Sequence, residues 1–169
     1  MLELKDFEAA ADRLKNVIHN IPLSTSCTFS AMTGAEVYLK YENQQKTGSF
    51  KVRGAYNKIM KRYAEGDLHA VVASSAGNHA QGVAFAATAA GVKSTIVMPR
   101  SAPIAKVSAT QGYGAEVVLA GNIYDEAYAK AVRDLRGDRR ESSSTRLTMR
   151  MLWRVRAPSH WNPARPAGR

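Results

Sequence analysis

An α/β fold built on an open parallel sheet with flanking helices is what this sequence predicts, and three observations carry the prediction. From Ala70 onward, short apolar runs rich in β-branched residues alternate with longer stretches of helical periodicity. Strands that are separated by helices of about ten or more residues have the connections of βαβ units, which run parallel. The chain has 169 residues, 45% of them apolar, which is enough to bury such a sheet in one core.

The elements follow in order. Phe7, Ala10, Leu14, Val17 and Ile18 recur at helical spacing, predicting a helix from Lys5 to about His19 with Asp6 as its N-cap. After Pro22 a Ser/Thr-rich loop leads to Ala35-Glu36-Val37-Tyr38-Leu39-Lys40-Tyr41, which alternates as a strand does. Ser49 to Tyr63 reads as a helix. Three strand–helix pairs then succeed one another: Ala70–Ala73 before Asn78–Ala90, Ser94–Met98 before a helix from about Pro103 to Gln111, and Glu116–Leu119 before a helix from about Tyr124 onward. In sheets of this kind ligands sit at the carboxyl ends of the strands, where loops enter helix N-termini, and this points to the loop before Asn78.

Composition narrows the function classes. No apolar run approaches the roughly 18 residues that span a bilayer, and Leu2-Glu3-Leu4-Lys5 is not the start of a signal peptide, so a cytoplasmic location is expected. The lone cysteine, Cys27, excludes an internal disulfide framework, lacks metal-ligand spacing and reads as a small buried apolar side chain. The net charge of +10 invites a nucleic-acid partner, but it is unevenly placed. Residues 1–132 carry 14 basic and 11 acidic side chains, a net +3; residues 133–169 carry 10 Arg and 3 acids, a net +7. The body therefore has an ordinary globular surface.

Two segments hold the residues of chemical interest. In Lys46-Thr47-Gly48-Ser49-Phe50-Lys51-Val52-Arg53-Gly54-Ala55, Lys51 is a solvated lysine, a phosphate-binding charge or an amine nucleophile; taken alone, the solvated reading has the greater weight. The Gly-Lys-Ser/Thr order of a nucleotide phosphate loop is absent. In Ser74-Ser75-Ala76-Gly77-Asn78-His79-Ala80-Gln81-Gly82, small residues let backbone approach a ligand, and the free N–H groups of a helix start favour a carboxylate. A helix cap without any ligand fits that loop equally well, and His79 alone reads as structural.

Together the two segments resemble pyridoxal-phosphate enzymes of the tryptophan-synthase-β fold type (fold type II), and most closely the threonine ammonia-lyases, or threonine dehydratases, of the catabolic type. Serine racemase and serine dehydratase are relatives. The likeness rests on Ser49-Phe50-Lys51-Val52-Arg53-Gly54-Ala55 and Ser75-Ala76-Gly77-Asn78-His79-Ala80-Gln81. It continues through Met98-Pro99, Ala102-Pro103, Lys106-Val107, Gly114–Val118 and Tyr124–Ala127, covering residues 1 to about 132. The resemblance implies pyridoxal 5'-phosphate as cofactor, held by Lys51, Phe50 and Asn78. Lys51 would carry it as a Schiff base and then take the α-proton of the substrate. Phe50 would pack beside it, Asn78 would hold its ring hydroxyl oxygen, and Ser75, Ala76, Gly77, Asn78 and His79 would grip the substrate carboxylate. The implied reaction is elimination from L-threonine to 2-oxobutyrate and ammonia, with L-serine as the alternative substrate. No metal and no membrane are expected, and the full-length relatives are expected to be homo-oligomers.

The end of the chain departs from that pattern. The family's glycine-rich phosphate cradle and its late serine or threonine for the ring nitrogen are missing, since only Gly137 and Gly168 follow Gly121. Residues 133–169 hold ten Arg but no Lys, both Trp and three of six Pro. Suitable codons for Ser143 to Asn162, read one nucleotide out of phase, spell Phe-Ile-His-Pro-Phe-Asp-Asp-Ala-Asp-Val-Met-Ala-Gly-Gln-Gly-Thr-Ile-Ala-Leu-Glu, which resembles what threonine ammonia-lyases carry next. Met149, Met151, Trp153 and Trp161 have unique codons and still fit. The expected organisation is thus an incomplete lyase fold over 1–132 and an aberrant, disordered, Arg-rich tail over 133–169. It implies a frameshift near residue 133 and a truncated chain with little or no activity. A non-enzymatic fragment whose basic tail binds nucleic acid is the competing class, and it lacks the organised basic face that such binding needs.

Overall fold

The computed structural model describes residues 3–66, 68–137 and 146–149. Helix α1 (Leu4–Leu14) leads into a small flank made of strand β1 (Leu23–Thr25), helix α2 (Cys27–Thr33), strand β2 (Tyr38–Lys40) and a 3-10 turn (Glu42–Gln44). The α/β layers follow: α3 (Lys51–Ala64), β3 (Ala70–Ser74), α4 (Asn78–Ala89), β4 (Lys93–Met98), α5 (Ile104–Gly112), β5 (Glu116–Leu119), α6 (Tyr124–Gly137) and β6 (Arg146–Met149). Strands β3 to β6 form one parallel sheet in the order β5-β4-β3-β6, while β1 and β2 pair antiparallel on their own.

Side-chain alternation along the central strands builds two cores. Val71, Ala73, Ile96 and Met98 face one side, where Ala55 and Ile59 of α3 and the alanine-rich α4 cover them. Val72 and Val97 face the other side and meet Ala127 and Ala131 of α6. Seven residues of α4 are buried, so this helix lies inside the molecule, between the sheet and its helical neighbours α3 and α5. Such close approach needs small side chains. A Cβ at Gly82 would stand 3.2 Å from the carbonyl carbon and oxygen of Lys51 and from the amide nitrogen of Val52, so α4 touches the backbone of the first turn of α3.

Several elements differ from the sequence expectation. Helix α1 ends at Leu14 instead of His19, because the chain turns there: the Val17 and Ile18 amides both donate to the Leu14 carbonyl. His19 is then held by buried Gln45, which accepts from the His19 amide at 3.0 Å and donates to its carbonyl at 2.8 Å. Asp6 is not the N-cap. It occupies the third helical position and accepts from the Glu3 amide at 2.9 Å, one arm of a capping box centred on Glu3. The Ser/Thr-rich loop contains β1 and α2, the latter capped by Ser26 and closed by Gly34 in a left-handed conformation. Cys27 is exposed, not buried, because it opens a helix that buries none of its residues.

Of the tail expected to be disordered, residues 133–137 complete α6 and Arg146–Met149 form β6, which pairs parallel with β3 from Ala70↔Arg146 to Ala73↔Met149. A backbone ladder asks little of side-chain identity, and β3 offers an edge to whichever extended segment reaches it. Residues 138–145 and 150–169, including both tryptophans, lie outside the described residues.

Candidate functional site

The site forms where α3 and α4 begin. Lys51 is the first residue of α3, partly buried, and its amide donates to Ser49 Oγ at 3.3 Å. Its Nζ stands 4.9 Å from the centroid of the Phe50 ring, a cation–π contact that keeps the ammonium beside the helix start. Two residues on, Arg53 makes a bidentate pair with Glu42 at 2.9 and 2.7 Å, and both side chains are nearly nine-tenths buried. Planar two-point pairing of this sort fixes orientation as well as charge, so it clamps the 3-10 turn to the first turn of α3 and fixes the backbone that bears Lys51.

The Ser75–His79 loop leaves the carboxyl end of β3, where the sheet topology predicts a ligand. The Ser75 amide donates to the Val97 carbonyl at 3.2 Å, holding the loop against β4. Gly77 caps α4 without a side-chain acceptor, and no hydrogen bond engages the Asn78 or His79 amide among the described residues. These open N–H groups at a helix N-terminus fit an anion. Two buried polar atoms beside them, Ser74 Oγ and His79 Nε2, also have no protein partner among the described residues. Burial holds the His79 pKa below its ordinary value of 6.5, and the Lys51 charge lowers it further. The imidazole is therefore neutral near pH 7, and Lys51 is close enough for its charge to be felt there.

The structure thus brings Lys51 and Phe50 together, and it sets them against the N-terminal half of α4 through the Gly82 contact. Ser75 is buried, whereas Ala76, Gly77, Asn78 and His79 are partly open. No hydrogen bond joins Lys51 to that loop among the described residues. Sequence reasoning missed Glu42, Arg53 and Lys106 as site residues. Lys106 Nζ donates to Asn78 Oδ1 at 2.5 Å across 28 residues of sequence, and no local spacing signals such a contact.

A primary amine, a carboxamide in the first turn of α4 and open amides at that helix N-terminus suit a reactive aldehyde whose substrate is an amino acid. The sequence model of the family described as "Pyridoxal-phosphate dependent enzyme" matches residues 14–146. The chain belongs to this family. The L-threonine ammonia-lyase of Thermotoga maritima is 56% identical over 133 residues, which are 79% of this chain and 33% of that protein. Among solved structures, a threonine deaminase from T.th. superposes with a TM-score of 0.72 at 38% identity, over 87% of this chain and 45% of that one. Maize serine racemase does so with a TM-score of 0.74 at 31% identity, over 85% and 43%. The chain spans about a third of the length of the Thermotoga relative.

The family cofactor finds fitting groups here. An aldehyde calls for a primary amine such as the one Lys51 carries, and a ring oxygen calls for a donor such as the –NH2 end of the Asn78 carboxamide. The open amides of Asn78 and His79 leave room for a carboxylate, and no group of three or more His, Cys, Asp or Glu side chains that could hold a metal ion occurs among the described residues. No helix among them is long and apolar enough to cross a membrane.

Proposed function

We propose that this chain carries the amine and the carboxylate-binding loop of a threonine ammonia-lyase that converts L-threonine to 2-oxobutyrate and ammonia. The observation that carries the proposal is the contact of α3 and α4 at Gly82, which packs the backbone of Lys51 against the helix whose open N-terminus bears Asn78 and His79. Pyridoxal phosphate, when bound, supplies the electron sink that acidifies the substrate Cα–H. Lys51 would hold the cofactor through its side-chain amine and would be the base that takes the Cα proton. Phe50 shields one side of that amine, and Asn78 would donate to the cofactor's ring oxygen. The Ser75–His79 segment orients the substrate carboxylate through backbone N–H groups, with the neutral His79 adding no cation to compete with Lys51. L-Threonine is preferred to L-serine in this reading because the relative at 56% identity bears the threonine name. A methyl group in a pocket changes discrimination by about 1–3 kcal/mol.

Incubation of the purified chain with pyridoxal phosphate, followed by borohydride reduction and peptide mass spectrometry, tests the assignment. The pyridoxyl mass is expected on Lys51 and is lost in Lys51→Ala; labelling spread over surface lysines sinks the site. Production of 2-oxobutyrate from threonine tests the activity separately.

Residues 1–132 are proposed to form the lyase unit, and residues 133–169 to be the product of a shifted reading frame, supported by the fit of the unique Met and Trp codons. The DNA around codons 130–145 decides this, and absence of another frame encoding the hidden peptide ends the idea. A cytoplasmic location and a homo-oligomeric full-length enzyme complete the reading.

A further inference from the structure

We propose that Lys106 is a positioning residue that fixes which end of the Asn78 carboxamide faces the cofactor. This rests on the assignment of Asn78 to the cofactor's ring oxygen. A carboxamide presents an acceptor at one end and two donors at the other, and electron density alone seldom distinguishes them. A lysine ammonium removes that ambiguity, because it has three donors and no acceptor. With Lys106 Nζ at 2.5 Å, the atom facing it has to be Oδ1, and the –NH2 end points away from the lysine. That nitrogen has no protein partner among the described residues, so it is available to a ligand's oxygen. Donation from a charged group also polarises the amide and strengthens its outward N–H bonds.

The placement of Lys106 indicates that this contact is its purpose in the fold. It lies in the first turn of α5, where the helix dipole disfavours a cation. Among the described residues it makes no ion pair, and its side chain is partly buried. Its backbone is nevertheless held firmly. The Lys106 amide donates to the Pro103 carbonyl at 2.9 Å, and the Lys106 carbonyl accepts from the fully buried Thr110 hydroxyl at 2.7 Å. Val107 beside it packs on the main core. A cation held at an unfavourable helix end, with Asn78 as its hydrogen-bond partner, is what an orienting residue requires.

The test uses the full chain and two readouts, neither of which is turnover: the concentration of pyridoxal phosphate needed to half-label Lys51, and the ratio of visible to near-ultraviolet absorbance of the bound cofactor. Lys106→Met keeps the length of the side chain and removes its donors. It is expected to raise the half-labelling concentration about tenfold, the size of one lost hydrogen bond, and to change the absorbance ratio. Lys106→Arg, which can only donate, is expected to restore most of both. In an Asn78→Ala background Lys106→Met is expected to have no further effect, because the partner through which it acts is gone. Unchanged labelling and absorbance in Lys106→Met, or a full additional loss in the Asn78→Ala background, overturns the proposal while leaving the Lys51 assignment standing. Failure of the unmutated chain to label Lys51 overturns the assignment itself, and this inference with it. Circular dichroism and thermal melting of each variant identify any loss caused by unfolding.

Discussion

Helices α4 and α2 arise from the same chain by opposite means. Helix α4 buries seven residues between the sheet and its helical neighbours, and its alanines and Gly82 let it approach α3 to backbone contact. Helix α2 buries none; Ser26 caps its start, Gly34 ends it, and Phe29 and Met32 are 47% and 75% exposed. The first helix is held by tertiary burial, the second by its ends. The contrast predicts that stability and site geometry both reside in the α3–α4–sheet unit, and that substitutions there and in the flank differ in cost by several-fold.

The largest effect is expected from Ile59→Ala. Ile59 is completely buried and belongs to the cluster that joins α3 to β3 and α4. Truncation leaves a cavity in a layer that cannot collapse without moving the sheet, and a cost of about 2–5 kcal/mol is expected in urea unfolding. A loss no greater than that of a surface substitution contradicts the view that this unit holds the molecule together.

Gly82→Ala comes next and ties stability to the site. The added methyl meets backbone atoms of Lys51 and Val52, which cannot rotate away as a side chain can. A cost of about 1–3 kcal/mol is expected. Because the displaced atoms belong to Lys51, pyridoxal phosphate labelling of that residue is expected to fall more than in an equally destabilising variant remote from α3. Equal labelling at equal stability separates the helix contact from the placement of the amine.

How much was legible in the sequence follows the same division. The parallel α/β layers were readable because burial leaves a periodic trace: the bounds of β5 match the expected run, and those of β3, β4 and α4 differ by a residue at one end. Strand β1 and helix α2 leave no such trace, since few or none of their residues are buried. Their signals were Ser26 and Gly34, local capping residues that a search for apolar periodicity passes over. Cys27 was misplaced for the same reason, its apolar character being taken for burial. At the site, Lys51 and the Ser75–His79 loop were visible as motifs. Lys106, by contrast, meets Asn78 only through the packing of α5 on α4, and the Glu42–Arg53 clamp joins residues of two different elements, the 3-10 turn and α3, which no periodicity within one element pairs. The strand Arg146–Met149 was not expected: its polar–apolar alternation runs for only four residues, too short to stand out in an Arg-rich segment, and it lies along the edge of β3.

A smaller, pH-dependent effect is expected from His79. Its folded pKa lies below 6.5, chiefly through burial and further through the Lys51 charge. The unfolded chain therefore binds a proton that the folded chain resists. The contribution is fully present above pH 6.5 and is lost progressively as pH falls from there through the lowered folded value. His79→Gln keeps a polar side chain and removes the titration, so the fall in stability on mild acidification is expected to flatten. The same acid slope in both proteins assigns it to other groups.

The smallest effect belongs to the flank. Met32→Ser removes an apolar side chain that is three-quarters exposed, on a helix with no buried residue. Little area returns to water on unfolding, so the change is expected to stay within about 0.5 kcal/mol. Serine at this interior position has a slightly poorer helix propensity, and that few-tenths penalty is the whole of the expected loss. Pyridoxal phosphate labelling of Lys51 is expected to be unchanged, since α2 makes none of the contacts that place α3 against α4. A cost of about 2 kcal/mol or more, well beyond the range of surface substitutions, or weaker labelling, shows instead that α2 is packed in solution and that the two helices are held in the same way.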